Sequence, residues 1–268
     1  MQLDELQSHH PIPSILTKIV AQVGQVTQKE IDFRLKSELD VRARTKIART
    51  QMSHHIIFLK PKESQHFGHI IAHECGHILH MAETPPEERV VPLSTSNTMR
   101  VAADDIRAEA DFLPLHLRRR MIELWIRSLI QQVYSQPIDV RIETWLHNQY
   151  AVLRSEQRHS LEADVATIRK VLSREVRRAT APIVFKRSNA MNYAYLKRLG
   201  PILDRSFDKD FREYPDIVDL GETLSEILTD ESLSDIELIN AWAQTLDIQD
   251  WFVWRDFEDM PMSYYAEL

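Results

Sequence analysis

At 268 residues, 43% hydrophobic and 27% charged, the chain is long enough for one or two full cores and has the balance of a globular protein. Its single cysteine, Cys75, excludes an internal disulfide and any cysteine-rich zinc site, and five glycines against 12 prolines favour a mostly helical chain. The net charge of -7 is unevenly spread, with 17 acidic and 3 basic residues from Phe207 onward, which is -14 there and +7 before it.

The sequence opens without a basic, apolar leader, and no apolar run approaches the length that spans a bilayer, so a cytoplasmic protein away from membranes is expected. Pro11, Ile12, Pro13 and Ser14 precede a first helix in which Ile15, Leu16, Ile19, Val20 and Val23 recur at helical spacing. Three segments then change period: Ile31 to Leu35, Val41 to Ala48, and His54 to Leu59. Their alternation and β-branched content predict a small sheet. A helix follows from about Glu63 to Ala82, ended by Pro85 and Pro86. Residues 85 to 97 read as a loop, with Thr95, Ser96 and Asn97 as N-caps for a helix over 98 to 112. That helix carries Asp104, Asp105, Glu109 and Asp111, and Pro114 kinks or ends it. Further helices are expected at about 116 to 134, 137 to 180 and 188 to 206, with capping-box patterns at Thr223 and Ser234 beyond them. The acidic segment and the basic runs Arg118 to Arg120 and Arg177 to Arg178 read as solvated faces. No nucleic-acid module accompanies them, so direct nucleic-acid binding is not expected.

His73-Glu74-Cys75-Gly76-His77 is an HExxH motif between apolar flanks. At about 100° per residue, His73 and His77 lie one turn apart on one helix face and can share a divalent metal. Glu74 beside them is placed as the general base that takes a proton from a metal-acidified water. The chemistry is that of a zinc metallopeptidase, with one Zn2+ per chain. A catalytic zinc needs three protein ligands and an open position. His69 or His80 would extend the set along the same helix, but consecutive ligands on one helix cannot close a tetrahedral site. Glu83 could serve if the helix turned sharply after His80. Asp105 and Glu109, four residues apart on the next helix, offer a further choice, in which one binds the metal and the other orients a ligand histidine. His116 is a candidate oxyanion donor, and Cys75 points into the core.

Ala72 to His80 resembles the active helix of the ImmA/IrrE family of intracellular metallopeptidases, whose pattern is close to AHELGHxLLH. The family continues with a second helix of the form ExxAN, and residues 105 to 114 look like a degenerate copy of it. In the closest register Asp105 stands at the ligand glutamate and Glu109 at the asparagine. The resemblance covers roughly residues 10 to 115. It implies a zincin-like fold and cleavage of a specific protein, such as a separate DNA-binding repressor or other regulator.

The expected architecture is therefore α+β and mostly helical. A zincin-like metallopeptidase domain over 1 to 115 holds the small sheet and active helix, and an all-α region over 116 to 268 ends in the acidic segment. The expected activity is that of an endopeptidase with Glu74 catalytic and His73, His77 and either Asp105 or Glu109 on the metal. The competing expectation is a degenerate zincin that binds a protein partner, its metal structural or absent.

Overall fold

The computed structural model describes residues 1–10 and 12–260; Pro11 and the end of the acidic segment lie outside them. The chain is a mostly helical α+β protein, and no helix is long and apolar enough to cross a membrane among the described residues. It divides into two compact units. The first comprises residues Met1–Arg89, Arg141–Glu162 and the segment from Asp256; the second comprises Val90–Val140 and Ala163–Arg255. The expected boundary at 115 therefore falls inside the second unit.

The first unit opens with α1 (Leu3–His9) and α2 (Ile15–Thr27), then β1 (Glu30–Leu35), β2 (Ala43–Lys46) and β3 (His54–Leu59). β3 is the central strand, parallel to β1 and antiparallel to β2, so β2 forms one edge. Alternation does what it predicts: Ile31 and Phe33 on β1 and Ile57 and Leu59 on β3 are buried. Beside β2, β3 and α2 lies α3 (Phe67–Glu83), whose Ile71, Ala72, Cys75 and Ile78 are each 0% exposed. Burial of each large apolar side chain stabilises this layer by about 1.5–3 kcal/mol.

His55 on β3 ties the sheet to α2. Its Nδ1 accepts from the Ala48 amide at 3.0 Å, and its Nε2 lies 3.0 Å from Thr27 Oγ1, whose own proton goes to the Val23 carbonyl. Burial first, and the charge of Lys29 second, lower its pKa from 6.5 to about 4. The unfolded chain thus takes up a proton that the folded one refuses. Its contribution is whole above pH 6.5 and is lost as pH falls from there to about 4. The expected cost is roughly 2–4 kcal/mol across that window. Urea midpoints at pH 7 and pH 4.5 check it, because His55→Asn keeps an acceptor for Ala48 without titrating and should fall less than wild type.

In the second unit, β4 (Val90–Leu93) lies where a plain loop was expected, and it pairs with β5 (Val253–Asp256). α4 (Ser96–Arg107) begins on a Thr95 capping box, as its sequence indicates. The larger difference is α5 (Leu115–Gln149), one continuous helix through Pro137, where the sequence suggested a break. An internal proline costs about 3 kcal/mol. Val133, Ile138, Val140, Ile142 and Leu146 are all buried around it, which outweighs that cost. The single helix expected from 137 to 180 is instead the end of α5 followed by α6 (Arg154–Val171) and α7 (Arg174–Ala179). α8 (Pro182–Leu203), α9 (Asp208–Phe211), α10 (Pro215–Ile227) and α11 (Asp235–Thr245) follow. Over the described residues up to 260 the acidic segment is folded: Phe211, Ile217, Leu224 and Trp242 are buried, which leaves its acids there on the outer faces. Ser234 caps α11 with its expected box, whereas Thr223 lies inside α10.

Candidate metal centre

Two glycines and a distant glutamate place α3. Glu156 on α6 accepts from the His69 amide at 3.0 Å, at the start of α3 where donors lack helical partners. A Cβ at Gly68 would stand 2.3 Å from that carboxylate, so glycine leaves it room. Further along, a Cβ at Gly76 would stand 2.6 Å from Ile142 Cγ2, so glycine there lets the end of α5 approach α3 closely.

That approach builds the centre. The Nε2 atoms of His73 and His77 face each other at 3.1 Å. Two nitrogens bound tetrahedrally to one zinc, each about 2.0–2.1 Å away, would stand about 3.3 Å apart, so the pair fits such an ion. His73 turns its other nitrogen, Nδ1, to Glu143 Oε1 at 2.8 Å. Glu143 also meets His69 Nε2 at 3.0 Å and accepts from Gln157 Nε2 at 2.6 Å. Burial alone would raise the Glu143 pKa, but the charge and hydrogen bond of His69, and then those of His73, hold it well below the usual carboxylate range. An acceptor-only carboxylate draws N–H from His73 Nδ1 and leaves the Nε2 lone pair for a metal. Glu74 points the other way, to β2, where Thr45 Oγ1 donates to its Oε2 at 2.6 Å.

His73 and His77 are thus brought together, Glu74 follows His73 on the same helix with its carboxylate at Thr45, and the other expected members do not join them. Asp105 accepts from Trp251 Nε1 at 2.9 Å, and Glu109 accepts from the Ile183 amide in the first turn of α8 at 2.6 Å. Both belong to the second unit, and neither joins a group of metal-capable side chains among the described residues. The physical reason is that Asp105 on α4 anchors Trp251 and Glu109, in the turn after α4, satisfies a helix N-terminus. Glu83 fails because α3 continues straight through His80 to Glu83 without the required turn. His116 is exposed in the first turn of α5, about 40 Å along that helix from Glu143 at 1.5 Å per residue. Cys75 is buried as expected, and burial first and the Glu74 charge second push its thiol up, away from reactive thiolate.

Glu143 is the residue that sequence reasoning missed. Ile138 to Glu143 alternates apolar and polar residues and follows a proline, which hides the helix. The available signal was spacing: Asp139 and Glu143 stand four apart, like the two histidines, so on one helix they share a face. No family model matches the chain, nor does any curated protein or solved structure.

Proposed function

We propose that the protein is a zinc-dependent endopeptidase of the zincin type that cleaves a specific protein. The observation that carries this reading is the pair of Nε2 atoms 3.1 Å apart with His73 Nδ1 held by a buried carboxylate. His73 and His77 are the proposed ligands from α3, with a carboxylate completing the set. Two imidazoles and a carboxylate suit zinc, which when bound supplies Lewis acidity to the scissile carbonyl and to the attacking water.

The chain's own residues do the rest. Glu74 takes the proton from the attacking water and delivers it to the leaving amine. Thr45 occupies Oε2, which leaves Oε1 to handle that proton. Because Thr45 sits on the edge strand β2, a substrate segment in extended form is proposed to lie along that edge by strand addition. The ImmA/IrrE resemblance of residues 72 to 80 agrees, and it suggests a separate DNA-binding regulator as substrate in a reducing cytoplasm. The competing reading, a degenerate binding module, drew on the imperfect second helix. Glu74 favours the first reading, because a structural site has no use for a base at that position.

Metal analysis of the purified chain tests the reading. Wild type is expected to hold one zinc, to lose it to a chelator together with any peptidase activity, and to regain both on zinc addition. His77→Ala should cost most of the zinc, whereas Asp105→Ala and Glu109→Ala should keep it. Zinc retained by His77→Ala would refute the proposed ligand pair, and a wild type that holds none would refute the function.

A further inference from the structure

His69 lies one turn before His73 on α3 and is 4% exposed. Its Nε2 is engaged by Glu143 and its Nδ1 lies 2.8 Å from Ser160 Oγ on α6, itself 0% exposed. The Ser160 carbonyl accepts from Arg42 Nη1 at 3.0 Å, and Gln157, one turn before Ser160's neighbourhood, grips Glu143 at both its backbone carbonyl and its side chain. A buried imidazole costs desolvation that an apolar residue of the same size would avoid, so its two hydrogen bonds are what it contributes here. The carboxylate needs them. If Glu143 were free to rotate, His73 Nδ1 would lose its acceptor, and the ring could flip or carry its proton on Nε2, where a metal must bind.

We propose that His69 is a positioning residue for the metal centre: anchored by Ser160, it fixes the Glu143 carboxylate and so the tautomer and orientation of His73. The metal goes to His73 and His77 and the positioning role to His69, whose Nε2 meets Glu143 and whose Nδ1 meets Ser160. The inference rests on the metal reading above and adds a dependence that the ligand set alone does not contain.

Zinc affinity by chelator competition and the visible spectrum of the Co2+-loaded full chain test it. His69→Phe fills the space without hydrogen bonds and should weaken zinc binding by about 10–100-fold with an altered cobalt spectrum. His69→Gln restores a donor to Glu143 and should recover most of both. Ser160→Ala removes only the anchor and should weaken binding by a smaller factor. Wild-type affinity and spectrum in both His69→Phe and Ser160→Ala would overturn the inference while leaving the metal reading intact. So would a His69→Gln variant as impaired as His69→Phe, because shape and not hydrogen bonding would then be at work. Should His69→Phe fail to fold, Ser160→Ala decides alone, and unchanged affinity overturns the inference. A wild type that binds no zinc removes the metal reading itself.

Discussion

Glu74→Gln is expected to lower kcat for peptide hydrolysis by about 10²–10⁴-fold, the usual worth of a positioned general base, with zinc content and unfolding midpoint close to wild type. Gln matches Glu in shape and can still accept the Thr45 hydroxyl proton through its amide oxygen, so the contact between α3 and β2 survives. What it cannot do is take a proton. The loss should therefore fall on kcat and kcat/KM together, with little change in KM, because the base acts in the transition state and not in holding substrate. Activity equal to wild type in a zinc-loaded Glu74→Gln protein would end the hydrolase proposal. A fall accompanied by zinc loss would instead mean that Glu74 supports the metal.

The second large effect is structural. Glu143→Ala removes a carboxylate that receives His69, His73 and Gln157, which join α3, α5 and α6. Two buried donors, His69 and Gln157, and the half-buried His73 would be left facing a cavity, and breaking such a group from one side costs about 3–5 kcal/mol. Denaturant unfolding of metal-free protein at pH 7 measures it, and a loss under about 1 kcal/mol would show that the network does not hold these helices together. The effect has a pH signature. The folded pKa of Glu143 is depressed, so its contribution is complete above the ordinary value of 4.5 and is lost as pH falls below it. His55 weakens the fold over the range above that, between pH 6.5 and about 4, so wild type should lose stability in two overlapping stages on acidification.

The α3 half of the centre was legible because its residues are local. His73, Glu74 and His77 belong to one helix, and the 3.6-residue repeat alone sets which of them share a face. The sheet was legible for a similar reason, since alternation at Ile31, Phe33, Ile57 and Leu59 reports one buried side. The supporting carboxylate was not local. Glu143 stands 70 residues beyond His73, on a helix that its own proline argues against.

Local propensity placed a break at Pro137, and tertiary burial on either side overrode it. The same competition misdirected the choice of Asp105 and Glu109, whose i, i+4 spacing suits one ligand and one orienting carboxylate. That spacing recurs along the chain, and periodicity cannot say which copy meets the histidines. The close approach allowed at Gly76 brings α5 to α3, while Trp251 and the first turn of α8 claim Asp105 and Glu109. The sequence by itself determined that two imidazoles and a carboxylate share one helix, because helical geometry is a short-range property. Only the tertiary structure decided which carboxylate orients His73, because that depends on long-range packing and on where each competing acid finds its donors.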